Sequence, residues 1–229
     1  MNTNRKTAII VGVLFITATV ASSLGIVILS PILDAPDYLI SVSANEYQVI
    51  MAALFMLIDV VAVVGIAIMM YPILKKHNEA LALGFSGLRF IEAISTILGS
   101  IILLTLLTLS QEFVIAGCPD ASYFQALGTL LLAAREWVFN IGSGLIWSLS
   151  ALLLNYILYR SKLVPRWLSG WGLVGAVLSF AAYLLQFFSI NLSDWLFSPI
   201  AVQEMAFAVW LIVKGFDSSI IASLSVKTD

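Results

Sequence analysis

Apolar residues in this chain fall in long blocks, not in the alternating pattern of strands or the one-sided stripes of surface helices. The blocks cover approximately residues 8–30, 47–71, 83–109, 137–159, 171–190 and 195–213. A bilayer core of about 30 Å is crossed by about 20 residues of helix, so each block reads as a membrane span. The first block exceeds the about 7–15 apolar residues of a signal peptide and is counted as a span too. The intervening polar turns leave no room for a separate soluble domain, so residues 1–229 are predicted to form one transmembrane domain. The expected architecture is an all-α integral membrane protein with a bundle of six transmembrane helices.

The stretch before the fourth block is ambiguous. Residues 121–159 favour helix throughout, but one straight helix of that length is nearly twice what a bilayer requires. Tyr123, Phe124, Leu127, Leu130 and Leu131 share one helical face. This predicts a short interfacial helix on the outer surface, then a span beginning near Trp137. A partly re-entrant seventh segment is the alternative.

Charge gives the bundle a direction. Arg5, Lys6, Lys75, Lys76, Arg160, Lys162, Arg166, Lys214 and Lys227 all fall on one side of the predicted spans. The opposite turns hold Asp34, Asp37, Glu46, Glu112, Asp120 and Asp194, with Arg135 the basic residue near that boundary. Positive-inside bias then places the basic side, and with an even number of spans both termini, in the cytoplasm. The expected location is the cytoplasmic membrane.

Composition narrows the function classes. Hydrophobic residues make up 61% of the chain and charged residues 10%, against roughly a quarter charged in soluble domains. A net charge of -2, with no basic face outside short turns, argues against a nucleic-acid partner. Cys118 and His77 are the single cysteine and histidine. They speak against an internal disulfide, a histidine-ligated haem and a metal site, so no cofactor or metal is predicted. His77 itself reads as a solvated turn residue. No histidine lies near a serine or cysteine within a span, and no phosphate-binding glycine loop is present, so nothing points to an enzyme. Asn191-Leu192-Ser193 matches a glycosylation sequon, a motif common by chance.

Small and polar residues recur at helical spacing within the blocks: Arg89, Glu92, Thr96 and Gly99; Asn140, Gly144, Ser148, Ala151 and Asn155; Gly172, Gly175, Ser179, Ala182 and Gln186; Ala201, Glu204 and Ala208. Such stripes mark faces where helices approach closely in lipid. The charged members carry more information. Asp59, Arg89, Glu92 and Glu204 all fall at membrane depth, where each unpaired charge costs about 2.5–3.5 kcal/mol on the insertion scale. Arg89 and Glu92 are three residues apart on one helical face. Three carboxylates against one guanidinium leave an excess of negative charge. The physical outlets are a proton taken up, a bound cation or a water-filled cavity. These four residues form the candidate binding site, and the simpler reading is an interhelical lock that fixes bundle register. A second polar group, Arg135, Glu136 and Asn140 with Trp137, is expected at the outer boundary, as an interfacial anchor or the mouth of a path inward.

Several stretches resemble a known family: Tyr71-Pro-Ile-Leu-Lys-Lys76, Arg89-Phe-Ile-Glu-Ala93, Ala134-Arg-Glu-Trp137, Leu163-Val-Pro-Arg-Trp-Leu-Ser-Gly-Trp-Gly172 and Gln203-Glu-Met205. They are similar to the prokaryotic multi-span membrane proteins grouped as domain of unknown function forty-three eighty-six. The resemblance runs from about Arg5 to Phe216 and implies a bacterial or archaeal membrane protein without an assigned activity. Two functional readings follow from the residues. One is a small carrier, channel-like or ligand-sensing bundle taking a small ion, a proton or a small molecule at the charged cluster. The other is a structural or accessory membrane protein acting through helix contacts, with a dry interior and the charges as packing locks.

Overall fold

The computed structural model describes residues 3–117, 123–188, 190, 194–217 and 219–220. Cys118, Asp120, the sequon at Asn191 and Lys227 lie outside the described residues. The chain forms α1 (Thr3–Leu33), a short α2 (Tyr38–Ala44), α3 (Glu46–Leu74), α4 (Glu79–Ile115) and α5 (Tyr123–Val138). A π-helical segment, Phe139–Ile146, joins α5 directly to α6 (Trp147–Ser161). α7 (Arg166–Gln186) and α8 (Ser198–Val213) complete the fold, with a 3-10 turn at Asp194–Leu196 between them. No strand occurs among the described residues.

Five helical stretches are long and apolar enough to cross a membrane: Asn4–Leu33, Glu46–Leu74, Glu79–Ile115, Tyr123–Ser161 and Arg166–Gln186. α8 is apolar but shorter, at 16 residues. The outward faces are apolar as well; Val61 and Val27 are 70% and 69% exposed. A water-facing surface of that kind would be unstable, whereas it fits a lipid bilayer.

The structure corrects the expected break near Trp137. Tyr123–Ser161 is helical throughout, 39 residues in all, so α5 runs on into α6 without a break. The reason lies in its partners. α4 is also overlong, at 37 residues, and α5 packs along its far end. Phe113 and Phe124 meet edge to face at 5.5 Å, and the Tyr38 hydroxyl on α2 donates to the Gln125 carbonyl at 3.2 Å. The residues predicted to share one lipid-facing side divide accordingly: Phe124 is buried in this junction, while Tyr123, Leu127 and Leu130 stay exposed.

Apart from α2, each helix packs against its neighbours in sequence, and α8 returns to α1. These helices therefore form a closed ring in the order α1, α3, α4, α5–α6, α7, α8. The seam between first and last helices is tight: a Cβ placed on Gly12 would stand 2.6 Å from the Ala208 carbonyl oxygen. At the basic end of this seam Arg5 donates to the Leu211, Ile212 and Val213 carbonyls at 3.0, 2.6 and 3.0 Å. These are terminal carbonyls without partners inside α8, and a cation there also meets the negative end of the helix dipole. Arg5 and the C-terminal end of α8 thus lie at the same end of the ring.

The centre of the ring is filled unevenly. Toward the basic end, buried residues from every ring helix form one continuous core that includes Val11, Met70, Phe85, Leu158, Leu168 and Phe207. Within it, Gln203 donates to Asn155 Oδ1 and to the Leu168 carbonyl, both at 3.2 Å, tying α6, α7 and α8 together. The stripe Gly172, Gly175, Ser179 and Ala182 is buried along α7, as expected of a helix-packing face. A second core, with Leu39, Val49, Leu106 and Phe124, closes the opposite end under α2.

Candidate functional site

Between these two cores lies a cavity of about 230 Å³. Its floor is set by aromatic packing: Phe15 and Phe207 meet edge to face at 5.4 Å at the top of the basic-end core. Directly on this layer rests Arg89, with its guanidinium carbon 5.7 Å from the Phe15 ring centre and 5.6 Å from that of Phe85. Aromatic faces attract a desolvated cation and offset part of the cost of burying it.

Arg89 is 2% exposed and Glu92 6%. Their spacing on α4 brings Arg89 Nη1 to 3.3 and 3.2 Å from the two Glu92 carboxylate oxygens. From α8, Glu204 approaches Arg89 Nη2 at 3.6 Å, too long for a good hydrogen bond but close enough for strong attraction. Nε and Nη2 of Arg89 are buried without a hydrogen-bond partner among the described residues. The Trp147 indole lies within hydrogen-bonding reach of Glu204. Asp59 reaches the same cavity from α3, where it feels the fields of Arg89 and Glu204. It forms no ion pair with a described residue. All four charges predicted at membrane depth therefore border one cavity, three of them directly linked and Asp59 apart.

The far wall of the cavity comes from the π-helical segment. There Thr96 and Ser143 hydroxyls meet at 3.4 Å, and Gly142 stands so close to Ser95 that a Cβ would overlap its side chain. A Cβ on Gly144 would lie 2.6 Å from the Tyr183 ring. These two glycines let α4 and α7 close on a widened helical turn, a feature that tends to occur at functional positions. Ser95, Ser143, Trp147 and Tyr183 all line the cavity, yet these four had not stood out in the sequence, where the stripes of small and polar residues passed them by. Gly142-Ser143-Gly144 was the available signal, since two glycines one residue apart weaken a regular helix.

The outer-boundary group separates. Arg135 lines the cavity, whereas Glu136 is exposed and Asn140 is half-buried and away from it. Arg135 has no hydrogen bond or ion pair to a described residue. The cavity thus runs from the Arg89 cluster to a second arginine, which the sequence had read either as an interfacial anchor or as part of the mouth of a path inward. Among the described residues, no group of three or more histidine, cysteine, aspartate or glutamate residues has metal-binding geometry.

With this geometry in place, comparison with known proteins adds the family. Residues 10–215 match the family described as Domain of unknown function (DUF4386). No curated protein and no solved structure matches the chain significantly. The match spans nearly the whole chain, and the protein belongs to this family.

Proposed function

We propose that this family member crosses the cytoplasmic membrane six times, with both termini in the cytoplasm, and binds a small ion or molecule in its central cavity. It would act as a carrier- or channel-like bundle or as a ligand sensor. The observation that carries this reading is the continuity of the 230 Å³ cavity with Asp59, Arg89, Glu92 and Glu204. A bundle serving only as a packing scaffold has no need to keep charges beside open space, because filling the space would strengthen it. Four charges at that depth are tolerated when they pair, hydrate or meet a ligand. With three carboxylates against the two guanidiniums of Arg89 and Arg135 around the cavity, one negative charge is in excess, so at least one of Asp59, Glu92 and Glu204 is protonated or holds a cation.

Topology has its own support. Arg5 sits against the end of α8, so the first and last helices share an end, as an even number of crossings requires. α8 rises about 24 Å over its 16 residues, slightly short of a bilayer core, and its flanking turns would complete the crossing. Because it is short, α8 runs beside only the basic-end half of α1.

Cysteine labelling tests access and sidedness together. In a Cys118→Ser background, Ser22→Cys on the cavity wall should react with a membrane-impermeant thiol reagent added outside intact cells. A cysteine in the turn at Asn78 should react only after permeabilisation. The opposite pattern overturns the orientation, and a Ser22→Cys variant inert from both sides overturns the open cavity. In proteoliposomes, unchanged flux and ligand response on Glu204→Gln and Arg89→Ala would favour the packing-lock reading.

A further inference from the structure

Arg135 and Asp59 line the same cavity, and neither forms an ion pair with a described residue. The register along α4 gives their separation. Ser95 packs on Gly142 and Gly99 lies nearest Val138, which places Arg135 beside Leu103, itself a lining residue. On the other flank, the Ser86 hydroxyl donates to the Ala67 carbonyl at 3.5 Å, which places Asp59 beside Ser95. Eight residues of helix separate these levels, about 12 Å along the bundle axis. Between them the wall is Thr96, Gly99 and Ser143, with Met56 and Ile26 opposite, a surface of small and apolar groups without charge.

A site of this form has an anion at its inner end, a cation at its outer end and a narrow neutral passage between. We propose that it takes a small linear zwitterion, with an ammonium group at Asp59 and a carboxylate or other acid group at Arg135. This rests on the cavity-binding reading above and specifies its ligand class. Each unpaired charge gains a partner of opposite sign on binding, and charge-assisted hydrogen bonds formed away from bulk water are the stronger kind. With Asp59 and Arg135 rooted on levels about 12 Å apart, the site suits charges several carbons apart better than the adjacent charges of an α-amino acid. The volume lies below the about 300–1,000 Å³ of drug-sized ligand sites, which suits a molecule of metabolite size. Arg89 is ion-paired with Glu92 and Glu204 at the floor, which leaves Arg135 as the lining guanidinium without a carboxylate partner among the described residues.

Four probes with one six-carbon chain test this on the purified full-length protein by isothermal titration: 6-aminohexanoate, 2-aminohexanoate, hexylamine and hexanoate. The expected result is that 6-aminohexanoate binds at least tenfold more tightly than each of the others. Asp59→Asn should remove its advantage over hexanoate, and Arg135→Gln its advantage over hexylamine. Gly99→Leu, which has open space beside Val138, should fill the passage and weaken binding tenfold with both charges intact and the protein still monodisperse. The proposal is overturned if the 2-amino isomer binds as tightly, or if neither charge substitution alters 6-aminohexanoate binding. Asp59-dependent binding of hexylamine alone would overturn the zwitterion and leave a cation site. Absence of binding by all four probes also overturns the zwitterion; it reaches the broader reading only if Ser22→Cys labelling fails too.

Discussion

On the basic side of Arg89, the ring helices meet in a continuous core around Phe15, Phe85 and Phe207. On the other side the same helices hold a cavity of about 230 Å³ bordered by serines, two threonines and five charged residues. Besides the short reach of α8, what changes between the halves is side-chain size and the winding of one rod. Large rings from α1, α4 and α8 converge on the axis in the first half. In the second, α4 presents Ser95, Thr96 and Gly99, and its partner widens into a π turn. Small residues therefore have two opposite uses here: along α7 they bring backbones together, and along α4 they keep the axis open.

This contrast can be broken most sharply at its boundary. Arg89→Ala leaves Glu92 and Glu204 without their guanidinium and should cost about 3–5 kcal/mol, read as the unfolding midpoint in detergent and denaturant. Removing a ring from the filled half, Phe207→Ala, should cost about 3–5 kcal/mol by cavity formation. A midpoint shift much smaller than that would mean this half is not packed as described. At the π turn, Gly142→Ala forces a methyl into Ser95 and should cost about 1–3 kcal/mol, with Ser95→Gly in the same chain restoring much of the loss. In the open half, Thr96→Val loses the hydroxyl's bond to the Glu92 carbonyl and its contact with Ser143, and should cost about 1 kcal/mol; a large effect would show that the cavity wall is stressed, not slack.

The smallest effect lies outside both halves, in the turn between α3 and α4. Burial, and then Lys76, hold His77 below its usual 6.5. The folded state therefore binds that proton more weakly than the unfolded state. Its contribution to stability is full above pH 6.5 and is lost as pH falls through that value toward the lowered one. His77→Asn should flatten the stability profile in that window, and an unchanged slope would remove His77 as its source.

The sequence revealed charges and long apolar blocks well, because both are additive properties of composition. Asp59, Arg89, Glu92 and Glu204 could be singled out since any charge at membrane depth demands an account. Arg135 could not be placed the same way: near a boundary, headgroup and cavity positions look alike until the helix rotation is known. Trp147 and Tyr183 were invisible because aromatic residues are ordinary in spans. The fused Tyr123–Ser161 rod was visible as continuous helix former, but bilayer thickness argued for a break, and the overhang of α4 that supports it is a tertiary fact.

The π segment also sets the phase of everything upstream of it. Arg135, Phe139, Ser143 and Trp147 are spaced by four and all line the cavity. In a uniform helix of 3.6 residues per turn, positions four apart drift by about 40° each step, so Arg135 would point about 120° away from Trp147. The wider turn winds back against that drift and holds the four in one row. Loss of a single residue between Phe139 and Ile146 would leave the helix intact yet turn its outer half by about 100°, swinging Arg135 toward lipid or a neighbouring helix. One surplus residue thus works as an indexing step, fixing which face of a long rod looks inward.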